Sequence, residues 1–423
     1  MSIHKGGTVI SASEKPWGYQ QEVVRQPEEA QFIGGFEINW STPDIKRLGA
    51  LSAVTNGDLP EDSVLPSFLK PRQFVISDDG VEIYELDPTD RNYKKNSSAS
   101  DLTGGDGHVV TKFEKFYYKE VVSGSYNQYW VSNKPLEGYS VHPAFFKGGV
   151  EIDTIYVGAY ESIRWDYSLD SYSNANNMTG SVDTVNDKLG SVSGYYPLSG
   201  STVGMNQFRL LAKNTSSNCY LMDHYVHGLI TTIYFTLYSY FDMQTLISRG
   251  NTRYSLFADA QYSISGKSDS YGITAGGVST TGGSTNDFMT LFGLENIWGN
   301  YTGLIDGLMC VSGPMYIIRD PDNYTNDTGS TDWESLGSAY TATNYAFSWS
   351  FDPVNRLGIW IPNAVTATNR NTGYYYYLTS YRFAAVGGAS HEQDRATLLY
   401  FSFIGYASST GTKQRNARMV WRV

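Results

Sequence analysis

Cysteine is nearly absent: Cys219 and Cys310 are the only two in 423 residues, and they lie far apart. That spacing gives neither a disulfide framework nor a zinc-ligand pattern. Charge is also scarce, at 17% of residues, with a net charge of −11 and no long basic run, which argues against nucleic acid as a partner. No apolar run reaches the twenty residues a membrane helix needs, and the opening Met1–Lys5 leads into no hydrophobic region, so membrane insertion and Sec export are not expected. Without a signal peptide, the sequons at Asn177, Asn300 and Asn323 reflect loops rich in Asn and Thr rather than glycosylation.

What the chain has in excess is tyrosine (34) and glycine (42), on a 41% hydrophobic background. Tyrosine set among Ser, Gly and Asn is the composition of binding surfaces, because it offers large contact area for little entropy loss. The same tyrosines equally suit β-sheets.

Residues 1–35 hold few apolar side chains and end at Gly34-Gly35. They read as an extended arm that orders against a neighbour, or as a free tail. Residues 36–107 read as a small β-rich module. Phe36–Trp40 alternates as a strand, and 74–76 and 81–86 flank Ser77-Asp78-Asp79-Gly80, a hairpin signal. The glycines of 101–107 mark a domain boundary; the run lacks the Lys-Ser/Thr of a phosphate-binding loop. Beyond it come strands at 109–113, 116–118 and 129–131, and 150–161 alternates as one half-buried strand. Residues 166–200, rich in Ser, Asn and Gly, read as a long surface loop.

Two helices follow. The first covers 205–212. The second is capped by Asp223 and runs to about Ser248, with Tyr225, Leu229, Ile233, Leu237 and Phe241 on its apolar face. His142 before a proline in an apolar run reads as a packed core histidine rather than a catalytic one. His224 and His227 share a helical face without a third ligand, and Asp223 already has a capping role, so no metal is expected.

The segment Gly293-Leu294-Glu295-Asn296-Ile297-Trp298-Gly299-Asn300, closing at Asp306-Gly307, puts two glycines around a polar pair and a large apolar anchor. It reads as a loop nailed into a core. Its wording resembles the "ENxWGN…DG" segment of phage tail-fibre adhesins that use the C-type-lectin fold shared with formylglycine-generating enzymes. "KFYYK", "GYSVHPAF" and "EIDTIYVGAYE" look like the entry into that domain. The ending, from Gly387-Gly388-Ala389-Ser390 to Ala417-Arg418, is similar to the family's "GGS…AGLF…ARL..R", with Ala389-Ser390 departing from the usual Ser-Trp. Specific wording extends from about residue 108 onward.

The resemblance implies an α+β fold: a C-type-lectin-like domain over 108–423 with two helices and irregular β-sheets, completed by the final strands. Glu295, Asn296, Trp298, Asn300, Asp306, Gly387 and Gly388 would be structural motif residues, and Arg418 a structural ion-pair residue. It also implies a phage virion fibre or tail-tip adhesin, made in the host cytoplasm, that binds a host cell-surface glycan or protein without catalysis or cofactor. Such proteins are usually homotrimers, attached to other virion proteins through the N-terminal region. A head-fibre or decoration protein using the fold only for assembly is the alternative.

The redox cysteine pair of the formylglycine-generating enzymes is not reproduced, and Ile361-Pro362-Asn363 lacks the carboxylate of calcium-dependent lectins. Glu295 and Asp306 are the carboxylates a glycosidase would draw on, but their motif favours structure. The family's ligand surface lies in its C-terminal part, which selects Asn369, Arg370, Asn371, Tyr374, Tyr376, His391, Gln393 and Tyr406 as receptor-binding candidates.

Overall fold

The strand Ile33–Asn39 shows how the sheets are built: Phe36 and Ile38 point into the core while Glu37 and Asn39 are half-buried. This is the period-2 pattern of a sheet with one face covered. The computed structural model describes residues 29–173, 181–199, 203–253, 262–311, 314–325, 332–338, 343–350, 361–366, 374–376, 382–405 and 414–423. The chain divides into Met1–Gln31 and Phe32–Val423, and the second unit carries all the architecture below.

The fold is mixed and sheet-rich. A five-stranded antiparallel sheet runs in the order Asp44–Gly49, Ile33–Asn39, Tyr126–Ser132, Tyr117–Ser123, Ser140–Val141. A six-stranded sheet runs Cys219–Leu221, Met419–Arg422, Thr154–Gly158, His108–Glu114, Arg72–Ile76, Glu82–Glu85. A nine-stranded sheet has Thr302–Cys310 paired with Arg382–Val386, and ends on Asn344–Ser350 and Ile361–Thr366.

Among the described residues the α-helices are α1 (Met205–Thr215), α2 (His224–Tyr238) and α3 (Met243–Leu246). All fifteen residues of α2 are buried, so it is a central rod rather than an amphipathic surface helix. Two of its threonines satisfy their hydroxyls within the helix: Thr231 donates to the His227 carbonyl and Thr236 to that of Thr232. Among the described residues no helix is long and apolar enough to cross a membrane.

Four expectations are corrected. The chain does not divide at 101–107, because Arg72–Ile76 pairs directly with His108–Glu114 and the 36–107 segment contributes strands to both sheets. Those glycines serve close packing: Gly107 has φ +135°, and a Cβ there would lie 2.2 Å from the Ile76 carbonyl oxygen. The 150–161 run is broken into Val150–Glu151 and Thr154–Gly158, and the latter is buried on both faces. Within 166–200, Ser171–Tyr172 and Lys188–Gly190 pair with Ile163–Asp166, and Leu189, Val192 and Leu198 are buried. Finally, α2 stops at Tyr238 rather than near 248, because Ser239 takes a left-handed conformation (φ 47°, ψ 48°) with its N–H on the Phe235 carbonyl.

Candidate functional site

The motif loop folds around two tight turns. Gly293 and Gly299 both have φ +75°, and Asn296 and Asn300 both have φ +52°, a region that asparagine tolerates better than most residues. Between them Trp298 is fully buried, with its indole N–H on the Ser248 carbonyl at 3.1 Å. Asn296 accepts the Met289 N–H.

Every described carboxylate of the motif is filled by the fold itself. Glu295 accepts from the Ser268 N–H and hydroxyl, both at 2.7 Å, and from the Gly266 N–H at 3.0 Å. Asn300 donates to Glu161 at 2.6 Å and accepts from Asn251 and the Ser263 N–H. Asp306 takes both the Nε and an Nη of Arg209, which ties α1 to the strand Thr302–Cys310.

Around this loop lies a buried charged network. Burial, then the neighbouring Asp269, pushes the Glu295 carboxyl up to about 7; burial pushes Glu161 up to about 8 despite Arg418 and Asn300. Tyr160 and Ser193 both donate to Asp269, and Arg91, wholly buried, stands 3.8 Å from it.

Arg418 corrects its expected role. Among the described residues it makes no ion pair; its guanidinium donates to the backbone carbonyls of Gly158 and Glu295. The ion pair belongs to Arg422, which donates to the Asp223 carboxylate and to the carbonyls of Ala144 and Phe146.

Three histidines, His142, His224 and His227, are held neutral in the interior. His142 accepts the Ala144 N–H and packs against Phe116, Tyr118 and Phe145, and burial lowers it to about 3. His224 donates to the Asp306 carbonyl and His227 to that of Leu398, and burial lowers both to about 4. Cys219 and Cys310 are buried in separate parts of the core, without a disulfide.

Of the receptor-binding candidates, Asn369, Arg370, Asn371 and Tyr406 lie outside the described residues. Tyr374–Tyr376 forms an interior strand of the nine-stranded sheet, parallel to Tyr400–Gly405 and antiparallel to Asn344–Ser350. His391 and Gln393 sit on a loop that the motif itself supports. Gly387 (φ +83°) packs so close to the motif that a Cβ would lie 2.6 Å from the Ile297 carbonyl oxygen. The Ser390 N–H reaches the Asn300 carbonyl, Gln393 N–H reaches that of Thr252, and Gln244 clamps the carbonyls of Gln393 and Ala396. His391 contacts Glu392 at 3.2 Å, and Gln393, Asp394 and Arg395 are exposed. The structure therefore joins one candidate loop to the motif through backbone contacts, a link that sequence distance conceals.

Sequence reasoning did not single out a half-open pocket of about 250 Å³ on another part of the surface. Pro143, Phe146 and Pro321 form its apolar walls, with Tyr225, Arg319 and Asp320 as its polar groups. Residues 143–146 follow the His142 turn, Tyr225 comes from the first turn of α2, and 319–321 follow the strand Pro314–Ile317.

Neither a scan against protein-family models nor a search of curated proteins finds a match for the chain.

Proposed function

We propose that this chain is a phage virion adhesin, whose Phe32–Val423 unit is C-type-lectin-like and binds a host cell-surface glycan or protein. In this reading it acts as a homotrimer, without catalysis or cofactor, and its N-terminal region attaches it to other virion proteins. The observation that carries the reading is how the motif uses its polar groups. Glu295, Asn300 and Asp306 are filled by donors and acceptors of the fold, while the loop resting on them keeps Gln393, Asp394 and Arg395 in solvent. A rigid base carrying polar loops is the arrangement of a recognition surface.

The test is binding of labelled, purified protein to candidate host cells, with Tyr374→Ala/Tyr376→Ala and His391→Ala/Gln393→Ala double variants alongside. Saturable binding that is lost in a variant with unchanged unfolding temperature supports the adhesin and locates its face. An intact protein that binds other virion proteins but no permissive host replaces it with the head-fibre or decoration role.

A further inference from the structure

The pocket beside α2 is chemically unlike the loops above. Its volume, about 250 Å³, lies under the roughly 300–1,000 Å³ of pockets that hold drug-sized ligands, so it suits one ring rather than an extended chain. Pro143, Phe146 and Pro321 offer apolar surface for the C–H face of such a ring.

Its polar groups decide what kind of ring. Arg319 is engaged in a two-pronged pair with Glu334, Nε and Nη2 each at 2.8 Å, so its charge is already balanced and a phosphate or carboxylate gains little there. The Tyr225 hydroxyl lies close enough to this guanidinium for the two to interact electrostatically. Asp320 uses Oδ1 for the N–H groups of Gly148 and Asp322, while Oδ2 takes no bond from a described residue. This carboxylate repels an anion. A purely aliphatic guest would strip its water without replacing a hydrogen bond, which disfavours such a guest. A neutral ring with one apolar face and hydroxyls on its edge meets both demands, since the hydroxyls donate to Asp320.

We propose that this pocket is a sugar subsite that takes a single neutral pyranose. The inference rests on the glycan arm of the adhesin reading for its ligand class, and goes beyond it in placing a sugar at a pocket which that reading does not use.

The experiment uses the full chain and a panel of methyl glycosides of glucose, galactose, mannose, rhamnose and N-acetylglucosamine. Binding is read by saturation-transfer NMR and calorimetric titration. At least one glycoside binds, and Phe146→Ala weakens it by about tenfold or more, the loss of a ring contact. Asp320→Asn, which trades the charged acceptor for an amide, also weakens it. Gly149→Asn changes an exposed position on the pocket rim whose left-handed backbone asparagine tolerates, and so tests the site without touching the core.

Absence of binding by every glycoside overturns the proposal, as does binding that all three pocket variants leave intact. Cell adhesion that survives in a variant unable to bind glycoside overturns a role for the pocket in attachment and leaves the adhesin standing. Glycoside binding by a protein that adheres to no host does the reverse.

Discussion

Arg422 and Asp223 form an ion pair in the interior, with both side chains shielded from solvent. Asp223 serves three partners at once: Oδ1 caps α2 through the Val226 N–H, while Oδ2 accepts from Arg422 and from the Tyr324 hydroxyl. The start of the central helix, the last strand and residue 324 are thereby fastened at one carboxylate. Replacing Arg422 by Met leaves that charge buried without its counterion and costs about 3–5 kcal/mol, measured as a lower denaturant midpoint.

Gly387 and Gly124 both have positive φ, +83° and +61°, but only Gly387 has backbone against it. Gly124→Ala costs about 1–2 kcal/mol from the left-handed backbone alone. Gly387→Ala adds overpacking against the Ile297 carbonyl and costs at least about 3 kcal/mol. Equal losses in thermal unfolding would show that the close approach of loop and motif is not maintained.

Trp298→Ala opens a cavity in the motif and costs about 3–5 kcal/mol. Trp298→Phe keeps most of the apolar volume but strands the Ser248 carbonyl, for a loss of about 1–3 kcal/mol. The gap between the two variants separates packing from the hydrogen bond.

The buried acids and histidines set opposing pH slopes. His142, His224 and His227, lowered to about 3, 4 and 4 from 6.5, are neutral when folded and take up protons on unfolding below 6.5. Stability therefore rises with pH through that window. Glu295 and Glu161, raised to about 7 and 8 from 4.5, release protons on unfolding above 4.5, so their contribution shrinks as pH rises to 7–8. Three rising slopes exceed two falling ones up to pH 6.5, and only the falling ones continue beyond. The unfolding midpoint should peak near pH 6.5, and His142→Asn should flatten the acid limb.

Local chemistry was legible where one residue decides it. Asp223 announces the start of α2, and Asp79-Gly80 the hairpin joining Arg72–Ile76 to Glu82–Glu85. Legibility failed where a distant partner decides. Phe241 continues the spacing of α2, yet it packs onto Trp40 and Phe235 from beyond the helix end, so its periodicity extended the helix on paper. Arg418 and Arg422 are equivalent in sequence until the fold puts carbonyls before one and a carboxylate before the other. The pocket was invisible for the same reason, since its walls come from segments near 145, 225 and 320.

The strand Met419–Arg422 sits between Thr154–Gly158 and Cys219–Leu221, both made long before it. During translation these two neighbours leave the ribosome with an empty slot between them, and each exposes an unpaired edge until Met419–Arg422 arrives. The six-stranded sheet thus closes only after synthesis of this segment. The nascent chain must tolerate that interval without pairing its open edges with another copy.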